Sequence, residues 1–233
     1  MKRFPEQING IVVPYEKDIS ELKDMLKEEM PYYSVACIAL AYKSSIDSLN
    51  SLVEYLSNND WCIRRMAIEA LGYHSMGYLQ ADNLIKFLSD KSSYVIKATL
   101  EVIKVHSVNK ARGKVLDLIK TGDEEIRKEA IACLLSISSE EDIKQIIQLF
   151  IKERSKLVKD EAACFIRQKL DNNNWSISVR LLKESNLARH RVWACELIGI
   201  YGDKKDIELL NQLKNDKDGH VRKAAFKAED KLK

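Results

Sequence analysis

The sequence predicts an all-α solenoid of about seven stacked helix pairs. Two observations support this fold class: turn-forming residues are scarce, and one helical pattern recurs along almost the whole chain. The 233 residues include 8 Gly and 3 Pro, too few for the many turns of a strand-rich sandwich or barrel. The recurring pattern is the stronger observation, because a fixed period of about 20 to 50 residues is the signature of a repeat protein.

Each copy of the pattern starts at an anchor residue, has Ala or Thr four positions later, and has mostly apolar residues at positions seven and eight. Successive anchors are 31 or 32 residues apart. These positions share one face of a helix, which we name helix B. Small residues at position four allow a neighbouring helix to approach closely. The anchors are Tyr32, Ile63, Val95, Ile126, Val158, His190 and Val221, and the small residues are Ala36, Ala67, Thr99, Ala130, Ala162, Ala194 and Ala225.

An amphipathic segment precedes each anchor and predicts the first helix of the pair, helix A. Polar turns rich in Asp, Ser and Asn separate helix A from helix B, and their side-chain oxygens can cap the start of helix B. The predicted A segments are residues 19–29, 46–56, 79–88, 108–119, 143–151, 175–182 and 207–213.

The position five residues after each anchor is apolar in every copy, from Cys37 in the first to Phe226 in the last. This position points away from the stripe that faces helix A, so it predicts a second contact with the next helix pair. The last copy has Ala228 and Glu229 at positions seven and eight. A charged residue at position eight is typical of a terminal repeat whose outer face contacts solvent. We expect residues 1–17 to form a lead-in segment and residues 18–233 to form a single domain.

Composition narrows the functional classes. The N-terminus lacks the apolar stretch of a signal peptide, and no apolar run approaches the ~18 residues of a membrane span. Five Cys without a CxxC pair indicate neither a disulfide framework nor a zinc site. We therefore expect a cytoplasmic protein, a monomer by default, with no metal, no cofactor and no membrane partner. The net charge of +3 does not by itself indicate a nucleic-acid partner.

Three copies of the pattern resemble the signature D-x-x-V-R-x-x-A-x-x-A-L-G of HEAT repeats. They are DWCIRRMAIEALG at 60–72, DEEIRKEA at 123–130 and DGHVRKAA at 218–225. The chain is most similar to the short HEAT-like repeats of phycobilisome lyases, within the armadillo-like class, and the resemblance covers roughly residues 18–233. It implies a right-handed α-α superhelix with the B helices on its concave side, and a protein-binding scaffold. Such a resemblance is specific for fold and not for function.

Basic residues follow most of the anchors and form what we name the basic column. In HEAT-like repeats an Arg at this position commonly pairs with an Asp three residues before the anchor, and Asp60, Asp123 and Asp218 are placed for that structural role. Leu187 stands at the corresponding position before Arg191, which we expect to lack such a partner. The alternative is that the column contacts acidic partners or phosphates. Its candidate partner-binding residues are Arg64, Arg65, Lys97, Arg127, Lys128, Lys159, Arg191 and Arg222.

A nucleic-acid partner is the main alternative, with phosphate contacts from Lys156, Lys159, Arg167, Arg189 and Arg191. Carboxylates interrupt the same surface, which disfavours a duplex-binding groove. DNA glycosylases with HEAT-like repeats use a catalytic Asp among Trp and Arg residues, but the spacing here matches no such signature. The residues considered for that site are Trp61, Trp175, Trp193, Asp60 and Asp171.

Metal chemistry has weaker support. Deoxyhypusine hydroxylase, a HEAT-type enzyme, holds iron with His-Glu dipeptides, and this sequence contains none. His74 and His106 occupy equivalent positions in adjacent repeats, where a helix-terminal role is favoured over metal binding. The sequence therefore predicts no catalytic residues. It indicates a non-catalytic scaffold or adaptor that binds a protein or peptide on the concave helix-B surface.

Overall fold

The computed structural model describes residues 3–233, in which α-helices form nearly all of the regular structure. The chain divides into two units, the first ending at Ser138 and the second beginning at Ser139. In the described residues, no helix is both long enough and apolar enough to cross a bilayer.

The first unit starts with a short antiparallel hairpin that packs against the second helix. Asn9 and Gly10 connect its strands with φ angles of 51° and 82°, the left-handed conformations that a tight Asn-Gly hairpin turn requires. Four helix pairs follow. The elements are β1 (Gln7–Ile8), β2 (Ile11–Val12), α1 (Ile19–Met25), α2 (Tyr32–Lys43), α3 (Ile46–Glu54), α4 (Trp61–Leu71), α5 (Ala81–Phe87), α6 (Ser93–His106), α7 (Arg112–Thr121) and α8 (Glu124–Ile137).

The second unit contains three further helix pairs. They are α9 (Asp142–Lys152) with α10 (Lys156–Lys169), α11 (Trp175–Lys183) with α12 (Ala188–Tyr201), and α13 (Ile207–Lys214) with α14 (Gly219–Leu232). The seven pairs among the described residues confirm the predicted all-α fold of stacked A and B helices. That residues 18–233 form a single domain, with 1–17 as its lead-in, stays a prediction.

The small residues at position four lie at the centre of each unit's core. All seven of them, six Ala and Thr99, are fully buried. The Thr99 hydroxyl donates to the Val95 carbonyl at 2.7 Å, so burial leaves no polar atom of this side chain without a partner. In the first unit α4 packs against both α2 and α6, and in the second unit α12 packs against α14. Small side chains are needed where these B helices meet their neighbours.

The polar turns cap several B helices as their composition predicts. Asp60, Asp123 and Asp218 each accept a hydrogen bond from a backbone N–H in the first turn of α4, α8 and α14, at 2.8 Å in each case. Ser155 accepts from Val158 in the same way at the start of α10. These oxygens satisfy N–H groups that have no partner within the helix.

Two positions depart from the predicted burial. The anchor Tyr32 is 46% exposed, and its neighbour Tyr33 is buried instead, where its hydroxyl donates to the Cys62 carbonyl at 2.7 Å. The reason is that α2 begins at Tyr32, whereas each of the other anchors is the third residue of its helix. Phe226 is 53% exposed because, among the described residues, no helix follows α14 to cover it.

Candidate functional site

Arg64 lies near the start of α4 and reaches forward to the turn before α6. Its Nε and Nη2 atoms donate to the two carboxylate oxygens of Asp90 at 2.9 and 2.8 Å, and Nη1 donates to the carbonyls of Asn58 and Asn59. The side chains of Arg64 and Asp90 are 15% and 6% exposed. The guanidinium group therefore joins two successive helix pairs of the first unit.

Arg191 makes the same arrangement in the second unit. Its Nε and Nη2 atoms donate to Asp216 at 2.6 and 2.9 Å, while Nη1 donates to the Ser185 carbonyl at 2.7 Å. The hydrogen bond from Arg191 is the main reason why the pKa of the Asp216 carboxyl lies below its usual value. Leu187 leaves Arg191 without an Asp partner in its own repeat, as expected, but Asp216 of the next repeat provides an acidic partner that the sequence analysis did not foresee.

The expected pairing within one repeat needs a correction too. The Asp residues three positions before the anchors cap helices, and the Arg partners are Asp90 and Asp216 in the A–B turn of the next repeat. Stacking brings that turn beside the start of the preceding helix B, where an extended Arg can reach both carboxylate oxygens. Structural ion pairs therefore account for these two members of the basic column.

Other members of the basic column contact groups of their own helix pair or the turn before it. Lys159 is half-buried in α10, and Arg222 is exposed in α14. The contacts are Arg65 with Glu69 at 2.6 Å, Lys128 with Glu129 at 2.9 Å, Lys97 with the Tyr94 ring at 5.2 Å, Arg127 with the Gly122 carbonyl at 3.1 Å, and Arg222 with the carbonyls of Asp216 and Lys217 at 2.7 and 3.1 Å. That the column binds a partner stays a prediction.

The second unit contains a cleft of about 520 Å³ along α12, which we name the α12 cleft. Its wall combines aromatic rings with exposed guanidinium groups, and α9, α10, α12 and the start of α14 contribute to it. The residues that line it are Phe150, Ala163, Arg167, Ala188, Arg189, His190, Val192, Trp193, Glu196, Asp218 and His220.

Three rings and one cation form the aromatic side of the α12 cleft. The Phe150 ring centroid is 5.5 Å from that of Trp193, with an edge-to-face angle of 77°, and 4.7 Å from that of His190. The guanidinium carbon of Arg167 lies 5.6 Å from the Trp193 ring. These are favourable geometries for aromatic and cation–π contacts, so the rings support one another.

His190 is 1% exposed and lies in the wall of this cleft. Its Nδ1 is 2.8 Å from the Ser185 hydroxyl, which also accepts the Leu187 N–H at 3.3 Å. Ser185 can donate its own proton to Nδ1, and in that tautomer the ring proton is on Nε2. Nε2 has no hydrogen-bond partner among the described residues. Burial, together with the charges of Arg189 and Lys159, lowers the pKa of His190 to about 4, so the ring is neutral near pH 7.

The start of α12 adds a positive dipole end to the α12 cleft. Leu187 occupies the N-cap position and provides no side-chain hydrogen bond, in contrast to Asp218 at the start of α14. The first N–H groups of a helix have no partner within it and favour negative charge. The exposed side chains of Arg167 and Arg189 add positive charge beside this positive helix end.

Of the residues considered for glycosylase or metal chemistry, Asp60, Asp171, Trp175, His74 and His106 make structural contacts or lie in the core. Asp60 caps α4, and Asp171 accepts hydrogen bonds from backbone N–H groups of its own turn at 2.8 and 3.0 Å. Trp175 is 9% exposed. His74 accepts the Met76 N–H at Nδ1, and His106 contacts the Leu71 carbonyl at 2.8 Å through Nε2. In the described part of the chain, no three His, Cys, Asp or Glu residues group as metal ligands would.

The sequence analysis named Arg167 and Arg189 together as phosphate contacts and Trp193 as a glycosylase candidate, but it did not place Trp193 beside the two Arg side chains. It missed Phe150, which lies near the end of α9 and is 43 positions before Trp193. The one available signal was the aromatic residue at the apolar end of a helix A. Nothing in the local pattern connects that ring with α12.

Comparison with known proteins supports the fold. Residues 81–164 match the family model of HEAT repeats. The structure of the complex of CpcE and CpcF of phycocyanin lyase from Nostoc sp. PCC7120 is similar over 100% of this chain and 99% of that chain, with 17% identity and a TM-score of 0.57. Among curated proteins, none matches the chain in sequence.

Two engineered proteins are similar with 20% and 18% identity, over 93% and 92% of this chain and 96% and 68% of theirs. Their TM-scores of 0.48 are too low to support an argument. The match to HEAT repeats and the seven helix pairs agree with the resemblance found in the sequence, including its likeness to a phycobilisome-lyase structure. The chain therefore has the fold of HEAT-repeat structures, and residues 81–164 match the family model of HEAT repeats.

Proposed function

We propose that this chain is a non-catalytic scaffold or adaptor that binds a protein or peptide partner on its helix-B surface, at the α12 cleft. Stacked helical repeats generally serve as scaffolds for protein interaction. The observation that supports this site is the α12 cleft itself, where Trp193, Phe150 and two exposed Arg side chains surround a volume of about 520 Å³.

The residue types of the α12 cleft are those that contribute most to protein interfaces. Trp and Arg are enriched among interface residues that cost more than about 2 kcal/mol on truncation. Trp193 is half-buried and is contacted by Phe150 and Arg167 before any partner arrives. A side chain that is already held in place loses little conformational freedom on binding, which favours affinity.

The basic column contributes unequally to this proposal. Asp90 and Asp216 hold the guanidinium groups of Arg64 and Arg191, so these side chains are poorly available to a partner. Lys159 and Arg222 lie on α10 and α14, two of the helices that line the α12 cleft. We therefore assign partner contacts first to Arg167, Arg189 and Trp193, and then to their neighbours.

The structural comparison adds limited support for a protein partner. The phycocyanin lyase structure is a complex of CpcE and CpcF, so this fold occurs there in an assembly of two proteins. At 17% identity, the likeness identifies neither the partner nor the contact surface of this chain.

A nucleic-acid partner would use the same exposed cations, Arg167 and Arg189. The α12 cleft also contains the carboxylates of Glu196 and Asp218, and Arg191 is occupied by Asp216. A phosphate backbone binds best where unpaired Lys and Arg gather without interleaved carboxylates. The mixed charge of the cleft therefore favours a protein partner. The crosslinking experiment below would also detect a nucleic-acid partner.

Photo-crosslinking from position 189 tests this function. Arg189 is replaced by the photoreactive residue p-benzoylphenylalanine, and the matched control carries the same replacement at Arg180, which is exposed on α11 and does not line the cleft. Both proteins are expressed in their native cells and irradiated. The crosslinked species are then identified by mass spectrometry, with and without nuclease treatment.

We expect a defined protein crosslink from position 189 that is absent from position 180 and is lost when Trp193→Ala is added. Identical products at both positions, or products unaffected by Trp193→Ala, would contradict the assignment of the cleft. Nuclease-sensitive products containing nucleotides would instead establish the nucleic-acid alternative.

A further inference from the structure

We infer that the α12 cleft recognises an anionic group, a carboxylate or a phosphate, that a peptide carries next to an aromatic or large apolar side chain. This inference rests on the proposed function and specifies the chemistry of the partner. Three independent features of the cleft support it: its cations, a buried donor in its wall, and its aromatic side.

The cations come from two different helices and from a helix end. Arg167 is on α10, Arg189 is on α12, and both side chains are exposed at the cleft. Ala188, the first residue of α12, also lines it, and no side chain caps this 14-residue helix. An anion at this place meets guanidinium groups that can donate two hydrogen bonds each, together with the positive end of the helix dipole.

The buried donor is the imidazole of His190. Its Nδ1 is committed to Ser185, and Nε2 has no hydrogen-bond partner among the described residues although the residue is 99% buried. Buried polar atoms of native proteins almost always have a partner, so one without a partner calls for an explanation. In the tautomer with its proton on Nε2, His190 would donate this N–H to an oxygen of a bound anionic group.

The aromatic side of the cleft selects what lies next to the anion. Trp193 and Phe150 present an edge-to-face pair, and such rings pack well against aromatic and large apolar side chains. A cleft of about 520 Å³ lies within the usual size range of ligand pockets, about 300 to 1,000 Å³. It can therefore hold two adjacent side chains of a peptide.

The carboxylates of the cleft restrict the amount of negative charge that it accepts. Asp218 already accepts N–H groups of His220 and Val221, whereas Glu196 is exposed at the cleft. One anionic group can be matched to Arg167 and Arg189 at a distance from Glu196. A polyanion would place some of its charges beside Glu196 and Asp218, which argues for a peptide rather than a nucleic acid.

Fluorescence anisotropy with synthetic peptides tests the inference. Four pools of labelled dodecapeptides share mixed Ala, Ser, Gly and Leu flanks and differ only in a central pair: Glu-Phe, phosphoserine-Phe, Gln-Phe or Lys-Phe. Each pool is titrated with the full chain and with its Arg189→Gln, Arg167→Gln and Trp193→Ala variants. The control variant is Arg180→Gln, and thermal unfolding establishes that every variant is folded.

We expect the Glu-Phe or phosphoserine-Phe pool to bind about tenfold more tightly than the Gln-Phe pool, with Lys-Phe weakest. The pool that binds more tightly identifies carboxylate or phosphate as the preferred group. Arg189→Gln and Arg167→Gln each reduce this preference severalfold, whereas Arg180→Gln leaves it unchanged.

Equal binding of the Glu-Phe, phosphoserine-Phe and Gln-Phe pools, lost in Trp193→Ala, would overturn the inference and leave the proposed function standing. Binding of no pool would also overturn the inference. The crosslinking from position 189 would then test the proposed function separately. A preference for anions that survives both Arg replacements would place the recognition elsewhere and contradict the assignment.

Discussion

Arg191 and Asp216 form a two-point ion pair that connects α12 with the turn before α14. The two hydrogen bonds measure 2.6 and 2.9 Å, and the side chains are 8% and 10% exposed. Arg64 and Asp90 repeat this arrangement between α4 and the turn before α6. The recurrence in both units indicates that these pairs fix the stacking of one helix pair on the next.

Arg191→Gln should lower the free energy of unfolding by about 3 to 5 kcal/mol, because removing one partner leaves the buried Asp216 carboxylate uncompensated. Urea unfolding followed by circular dichroism measures the change. The control is Arg189→Gln, an exposed neighbour, which should stay within about 0.5 kcal/mol of the wild type.

The double variant Arg191→Gln with Asp216→Asn separates the ion pair from general damage. It should recover part of the stability lost in Arg191→Gln, since no buried carboxylate then lacks a partner. Strict additivity of the two single effects would contradict a direct pair.

Stability should fall between about pH 6.5 and pH 4 because of His190. Burial lowers the pKa of His190 from 6.5 to about 4 in the folded state, so the unfolded chain binds more protons in this window. The stabilising contribution is therefore complete above about pH 6.5 and is lost as the pH falls, by up to about 3 kcal/mol. Chemical unfolding at several pH values measures it.

His190→Gln should show a flatter profile over the same window, since Gln does not titrate. Burial also lowers the pKa of His74, so some slope should remain in this variant. Parallel profiles for the wild type and His190→Gln would show that His190 does not carry the effect.

Ala130→Leu should destabilise the protein by about 1 to 3 kcal/mol, because Ala130 is fully buried in α8 and a larger side chain overpacks the contact. Thermal unfolding detects this loss. Ala132→Leu, two positions along the same helix and half-buried, should cost less. An unchanged melting temperature for Ala130→Leu would mean that the repeat register is wrong.

Cys164 should react first with iodoacetamide at pH 8, because it is the exposed thiol among the five free cysteines. Burial raises the pKa of Cys133 and Cys195 to about 12 and raises the pKa of Cys37 as well. Mass spectrometry of the folded protein after short exposure should locate the label at Cys164. Early labelling of Cys133 or Cys195 would contradict the buried positions described for α8 and α12.

Most of the fold could be predicted from the sequence, because the pattern of each repeat lies within a short stretch of the chain. A small residue four positions after each anchor must be buried wherever two B helices meet, and all seven of these residues are buried. The predicted burial of the anchor Tyr32 is wrong because α2 starts at this residue. A pattern of apolar residues does not specify the first residue of a helix.

The contacts of the site were much harder to predict because they join residues that are far apart in sequence. Arg64 and Arg191 pair with Asp residues that lie 26 and 25 positions downstream. This spacing follows from the stacking of one repeat on the next. The Asp residues nearest in sequence, Asp60, Asp123 and Asp218, cap helices instead. Phe150 reaches Trp193 in the same way, and without that contact the sequence gives no reason to expect a cleft.

The indole N–H signals of the three Trp residues test the central claim most directly, because Trp193 lies in the α12 cleft, Trp175 in the core of the same unit, and Trp61 on the first unit. The chain is labelled with ¹⁵N-tryptophan, the signals are assigned with single Trp→Phe variants, and the Glu-Phe and Gln-Phe peptide pools are added. The Trp193 signal should shift while those of Trp175 and Trp61 stay in place. A shift of the Trp61 signal with an unmoved Trp193 signal would contradict binding at the α12 cleft.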